Sequence, residues 1–401
     1  MPREISIIMS NQPSWLTAEY LTRILKNFYN DPELKITGIN VTSGSKDGDG
    51  FSSQIFRIKI DATTRKIAII AKMIKTSSSV QTVEEKLDYY NPEKFMYQVV
   101  LPKMFEKLPL GTLKFFPEFY HADDVNRALF IQDLCEDGYR SSDYSSGVDL
   151  QHSLLVMGAL AKFHASSYLV FKQEPNLIKN LQKIFYSEDL ASIIETALIS
   201  TTRKGLAAVM DEWDLAEEYK SKLRNTNNWT KKLIESWKKR EDGFNVLVQT
   251  DCWVKNLMFK YGAQNEVEKV KMIDFQMGTY TSFALDIVNF IYSSSSVEVR
   301  LYGVDKLLDH YYEVFKGLAG DVENFSRERL RREFDSKLFV GFIATLVYTP
   351  IIMAPPQKKA LDYDAMLKNE DAPENFSMYK NPKFLECVEK LMPFFVERNV
   401  I

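Results

Sequence analysis

The sequence predicts an α+β chain in two lobes: a small antiparallel sheet with one main helix, then a larger and mainly helical lobe. Three observations predict it. The 401 residues exceed the length at which one hydrophobic core stops growing. Between Leu34 and Ile74 the pattern is strand-like, and in QIFRIKI the apolar positions alternate with charged ones. After the polar connector EDGYRSSDYSSG they recur at helical spacing. The small lobe is accordingly drawn at residues 1–132, a hinge at 133–147 and the large lobe at 148–401.

The elements follow in order. KITGINVT (35–42) reads as a strand and leads into a turn rich in glycine and serine, with Gly44, Gly48 and Gly50. QIFRIKI then places Phe56, Ile58 and Ile60 on one face and Arg57 and Lys59 on the other, and KIAIIAKMI (66–74) follows as its partner strand. Asn91-Pro92 is a helix start, a cap followed by proline at the first helical position. That helix is expected to end before Pro102. ALFIQDL (128–134) is a further strand. In residues 150–171 the stripe Leu154, Met157, Ala161, His164 and Tyr168 marks an amphipathic helix, with His164 a core histidine. The apolar run Leu338–Ala354, broken by Gly341 and Pro350, reads as a buried helix ending near the proline rather than as a membrane span.

Composition excludes several classes. A net charge of −3 gives no reason to expect nucleic acid or an anionic membrane as partner. The N-terminal stretch lacks a signal-peptide pattern, and Cys135, Cys252 and Cys387 show no CxxC spacing. A reduced, cytoplasmic setting is expected, with the sequons at Asn40, Asn228 and Asn375 taken as chance matches. No H-x-x-x-H, G-x-S-x-G or G-x-x-x-x-G-K-[ST] occurs, which disfavours zinc, serine-hydrolase and Walker-type chemistry.

The informative stretch is 245–289. Two short apolar runs, 257–261 and 270–273, flank a polar turn. If they pair antiparallel, Asn256 just before the first lies beside Asp274 just after the second. Asp251 stands five residues ahead of Asn256 on the loop entering this hairpin. Two carboxylates and a carboxamide thus converge on one sheet edge. Hard oxygen donors of this kind suit Mg²⁺ shared with phosphate oxygens. Phosphoryl transfer in turn needs positioning, charge neutralisation and a base for the attacking hydroxyl.

VLVQTDCWVKNLMFKY and MIDFQMGTYTSFALDIVNF resemble the ecdysteroid-kinase-like family of insects, of the choline and aminoglycoside phosphotransferase branch of protein-kinase-like folds. The matches are Asp251, Trp253, Asn256, Asp274, Phe275, Gln276, Asp286 and the serines 293–296. Phe95 to Pro102, Ile131 to Gly138 and LAKFHASS (160–167) extend the likeness over most of the chain. The resemblance implies a bilobal protein-kinase-like fold that uses ATP and Mg²⁺. Asp251 would act as catalytic base, and Asn256 and Asp274 would hold the metal. Lys72 would contact the α- and β-phosphates, with Glu93 its partner and Glu84 and Glu85 as rivals. Gly48, Gly50, Ser52 and Ser53 would cover the phosphates, and Asp133 and Leu134 would offer backbone groups to adenine. Asp286 is expected to cap a helix or brace the catalytic loop. Each also has a plainer reading, as turn aspartate, solvated lysine or hairpin glycine.

The chain lacks H-R-D and D-F-G, Gln276 standing at the third position of the latter, so a protein kinase is disfavoured. The implied acceptor is a small-molecule alcohol, an ecdysteroid or other lipophilic alcohol or xenobiotic, bound among parts of 172–240 and 300–401. Phe339, Phe342, Tyr348, Tyr363 and Tyr379 are candidates for its pocket, or for ordinary core. Two alternatives stay open. An acidic, aromatic pocket would favour a polar alcohol such as choline or ethanolamine. Gln132 stands in place of a hinge glutamate, and Gln249-Thr250 in place of the family's His-Gly leaves room for a pseudokinase or hormone-binding module without turnover.

Overall fold

A computed structural model describes residues 13–44, 53–74, 87–181, 185–225, 227–354 and 376–401. The small lobe is built on a five-stranded antiparallel sheet in the order β1-β2-β3-β5-β4. Its strands are β1 (Ile36–Ser43), β2 (Ser53–Ala62), β3 (Lys66–Ile74), β4 (Phe119–Asp123) and β5 (Ala128–Gln132). Alternation decides the two faces. Phe56, Ile58, Ile60, Ile69 and Phe130 form one buried face, leaving Lys72 opposite Ile55 on the other.

The buried face is covered by a helix the sequence reading did not anticipate, α1 (Ala18–Tyr29). Thr17 caps it by accepting from the Tyr20 amide, and Leu21, Ile24 and Leu25 pack onto the sheet. The small lobe therefore carries two main helices rather than one. The second, α2 (residues 90–106), also departs from expectation by running through Pro102. A π-helical turn at Met96–Val100 absorbs the proline: the Leu101 amide reaches back five residues to the Met96 carbonyl. Widening the helix there avoids the clash that a proline ring otherwise makes one turn back.

The large lobe holds α3 (Leu150–Gln173), α4 (Thr201–Ala207), α5 (Glu217–Arg224), α6 (Trp229–Trp237), α7 (Ala284–Ser294), α8 (Val304–Ala319), α9 (Arg327–Ser336), α10 (Leu338–Met353) and α11 (Pro382–Glu397). The stripe read on α3 widens to nearly the whole circumference, because this central helix is packed on most sides. α10 is buried as expected and continues through Pro350 to Met353. Two small antiparallel units are set among the helices. One pairs β7 (Asn245–Val248) with β10 (Thr279–Ser282). The other joins β6 (Tyr139–Arg140), β8 (Leu257–Tyr261) and β9 (Val267–Met272), so the segment read as a hinge contributes an edge strand to the hairpin. The expected α+β two-lobed fold is what the chain adopts.

Candidate active site

β7 delivers the chain into the loop 249–256, and α7 holds that loop by its backbone. α7 is buried along its whole length, so every polar group on it needs a partner. Asp286 accepts from the amides of Gln249 (2.6 Å) and Thr250 (2.9 Å), and His164 Nε2 lies 3.2 Å from it. His164 Nδ1 is in turn bonded to the Tyr311 hydroxyl at 2.8 Å, which makes it the satisfied core histidine that was expected. One turn on, Asn289 donates to the Cys252 carbonyl at 3.4 Å. Beyond it Ser294 accepts from the Val254 amide at 2.8 Å. Asp286 thus braces the loop 249–256, one of its two expected roles being to brace a loop there. Asn289 and Ser294 were missed, although polar residues at helical spacing in an otherwise apolar helix were the signal.

The loop carries backbone strain at a telling place. Thr250 adopts φ +74°, a left-handed conformation that suits the family's glycine and costs a β-branched residue on the order of 1–3 kcal/mol. Asp286 enforces it by taking the Thr250 amide. Gln249, at the family's histidine position, donates to the carbonyls of Ile273 (2.6 Å) and Asp274 (3.1 Å) and ties the loop to the far side of the hairpin. The two departures therefore leave the loop anchored at both ends.

The hairpin register is the expected one. Leu257 pairs with Met272, and the Ile273 amide bonds the Asn256 carbonyl at 3.0 Å, bringing Asn256 and Asp274 to the same edge. Asn256 Nδ2 donates to Asp251 twice, to its carbonyl and to Oδ2, each at 2.9 Å. The other carboxylate oxygen, Oδ1, accepts from the Tyr348 hydroxyl at 3.3 Å. Burial, reinforced by the neighbouring Asp274 charge, pushes the Asp251 carboxyl up to about 7.

Lys72 crosses from the small lobe to meet this edge. Its ammonium lies 2.6 Å from Glu93 and 2.9 Å from Asp274, and 3.4 Å from the Gln276 side-chain oxygen. Both Lys72 and Glu93 are buried. Burial favours the neutral amine, but Asp274 and Glu93 outweigh it and hold the lysine above its usual value. Burial pushes the Glu93 carboxyl the other way, up, against the pull of Lys72. Glu93 Oε1 also accepts from the Phe275 amide at 3.2 Å, tying α2 to the residue after Asp274. The rival carboxylates Glu84 and Glu85 lie outside the described residues.

Other expected residues are placed less completely. Gly48, Gly50 and Ser52 also lie outside the described residues. Ser53 opens β2, buried, with its hydroxyl unpartnered among them. At the hinge the Asp133 amide is already bonded to the Ala68 carbonyl, and its carboxylate is paired with Arg57 at 2.5 Å. The Asp133 carbonyl accepts from Glu136, and the Leu134 carbonyl from Asp137 and Tyr139. Of the two backbone amides only that of Leu134 lacks a partner among the described residues, while the Asp133 carbonyl keeps a second lone pair.

Next to Asp251 lies a cavity enclosing about 150 Å³ and open on one side. Tyr186, Thr202, Trp253, Val347, Tyr348 and Ile351 are among its walls, and among the described residues Asp251 is the one charged residue lining it. Of the aromatic candidates, Tyr348 and Tyr379 face it. Phe342 is core, edge-on to Trp229 and Phe395. Phe339 packs against Phe342, and Tyr363 lies outside the described residues.

The donor set fits a magnesium ion. Asn256 spends its amide nitrogen on Asp251, which leaves Oδ1 free, and Asp274 keeps one oxygen clear of Lys72. Among the described residues no cluster of three His, Cys, Asp or Glu could chelate a metal alone, so the remaining ligands must come from phosphate and water.

Residues 47–323 match the ecdysteroid kinase-like family. No curated protein matches. Among solved structures, the chain is similar to an ethanolamine kinase of Plasmodium vivax, at 15% identity and TM-score 0.44 over 87% of both chains. It is similar to a spectinomycin phosphotransferase solved with ADP and spectinomycin, at 13% identity and TM-score 0.42, covering 92% of this chain and 98% of that one. A putative aminoglycoside phosphotransferase of Ralstonia eutropha gives 12% identity and TM-score 0.43 at the same coverages. At these identities and scores the family match is the informative comparison.

Proposed function

The chain belongs to the ecdysteroid kinase-like family, which makes it a small-molecule phosphotransferase with a hydroxyl acceptor, and on that premise we propose that it phosphorylates an apolar alcohol with ATP and Mg²⁺ in the cytoplasm. The acceptor is an ecdysteroid or another lipophilic alcohol or xenobiotic. The cavity beside Asp251 carries this reading: its walls are aromatic, aliphatic and hydroxyl-bearing, and among the described residues it offers no carboxylate besides Asp251 itself. Aromatic walls could also hold a choline-like cation, but among the described residues they carry no carboxylate besides Asp251 to pair with it. An enclosed volume of about 150 Å³ takes a single ring. A larger alcohol extends through the open side.

The roles follow from placement. Asp251 takes the proton of the acceptor hydroxyl as its oxygen bonds to the γ-phosphorus and the bridging bond to ADP breaks. Lys72, positioned by Glu93, neutralises phosphate charge from the small lobe. Asn256 and Asp274 would hold Mg²⁺, which when bound would screen the phosphate oxygens. Thr250 is no obstacle to turnover, because the loop adopts the conformation a glycine would allow.

The test is transfer from labelled ATP across ecdysteroids, choline and plant secondary alcohols. Asp251→Asn is expected to keep Mg²⁺-ATP binding, seen as thermal stabilisation, and to lose transfer by a factor of about 100 or more. Transfer to choline but to no apolar alcohol, or full turnover by Asp251→Asn, would overturn the reading.

A further inference from the structure

Both oxygens of Asp251 are spoken for, and by groups from different parts of the chain. Oδ2 is held by Asn256 on the hairpin, and Oδ1 by Tyr348 on α10. A carboxylate ion can only accept, so the Tyr348 proton points at Asp251. Tyr186 lines the same cavity as Tyr348 and Asp251.

Ring contacts hold both phenols in place. Tyr186 stacks on Trp237 with ring centroids 4.6 Å apart and planes 22° from parallel. Tyr348 is wedged against Trp253, centroids 5.0 Å apart. Tyr186, Tyr348, Trp253 and Asp251 all line the cavity assigned to the acceptor. Burial keeps both phenols protonated well above neutrality, so they remain donors throughout the working range.

We propose that Tyr348, held against Trp253, is a positioning residue that fixes the Asp251 carboxylate in the orientation presented to the acceptor hydroxyl. This deepens the phosphotransferase reading and rests on it. Tyr348 takes no proton and forms no bond to phosphorus. It leaves Oδ1 its second lone pair for the acceptor and prevents the carboxylate from turning away about its side-chain torsions. A wall residue would merely shape the cavity.

Transfer to ecdysone and nucleotide-free crystal structures separate these roles. In Tyr348→Phe we expect kcat to fall about 10- to 100-fold. The KM for ecdysone and the affinity for Mg²⁺-ATP should stay within about twofold. In the crystal structure of Tyr348→Phe the Asp251 side chain should leave the orientation it has beside Asn256. Unchanged kcat in Tyr348→Phe, a loss confined to KM, or an Asp251 that does not move would each overturn the proposal. Absence of transfer by the unmodified protein to any alcohol instead sinks the phosphotransferase reading, and the crystal comparison still reads Tyr348.

Discussion

At the scale of single residues, the site is one where neighbouring groups work against their own ordinary preferences. Thr250 is the clearest case: a β-branched residue at φ +74°, with its hydroxyl buried and unpartnered among the described residues. Thr250→Gly removes both penalties and is expected to stabilise the protein by about 1 kcal/mol, read from the midpoint of urea unfolding. A loss of stability would mean that packing of the threonine side chain outweighs the strain. Asp251 sets a pH dependence. Its folded value is raised to about 7 from the ordinary carboxylate value near 4, so between these limits the folded chain holds a proton that the unfolded chain has released. Stability of the nucleotide-free protein should therefore fall as pH rises from about 4 to about 7, and stay low above it. Glu93, raised for the same chief reason, adds to the trend. Melting temperatures at pH 5 and pH 8 should differ less in Asp251→Asn than in the unmodified chain; an unaltered difference would contradict the assignment. Asp251, Asn256 and Asp274 were legible because hairpin spacing alone brings two of them together. Tyr348 was not legible as their neighbour, since it meets Asp251 from 97 residues away and only the folded topology supplies that contact.

Elements explain why a loop can keep such a geometry. α7 presents Asp286, Asn289 and Ser294 along one side, and these take up backbone groups of the catalytic loop at Gln249, Thr250, Cys252 and Val254. Replacing Asp286 with alanine strands two buried amides and the His164 ring. A loss of about 3 kcal/mol is expected, with transfer lost along with it even under conditions where the variant is folded. Equilibrium unfolding in urea measures the first, and a turnover assay on the folded fraction the second. A variant as stable as the parent would show that water replaces the carboxylate. The strands of the small lobe and the catalytic hairpin were readable because alternation and register follow from the period of two. α1 was overlooked despite Thr17 and its apolar side, since a short N-terminal helix competes with nothing in the local pattern. α2 was cut short at Pro102 because the usual proline rule assumes a regular helix, and a π-turn changes which amides and carbonyls meet.

On the scale of the whole molecule the apolar residues separate into two clusters of unequal size. The small one holds α1 on the outer face of the sheet, whereas α2 and the inner-face residues Leu129 and Ile131 belong to the large one with α3, α7 and α10. The division predicted at the hinge thus describes the chain path better than it describes the packing. α2 is the shared piece, and it carries Glu93. The sheet is coupled to the large lobe through Lys72, which meets Glu93 and Asp274 together. A cooperative unit with so small a core should open at lower free energy than the rest. Amides of β1, β2 and α1 are therefore expected to exchange with solvent faster than those of α3 and α7, and Mg²⁺-ATP should slow them by joining the lobes. Lys72→Met removes the cation and leaves Glu93 facing Asp274, two carboxylates with nothing between them. Its sheet amides should exchange faster than those of the parent without nucleotide, and Mg²⁺-ATP should no longer protect them. Hydrogen exchange followed by mass spectrometry reads all of this in one experiment. If the variant's sheet were protected by nucleotide as fully as the parent's, the lobes would be coupled by something other than Lys72, and its placement over the phosphates would lose its main support.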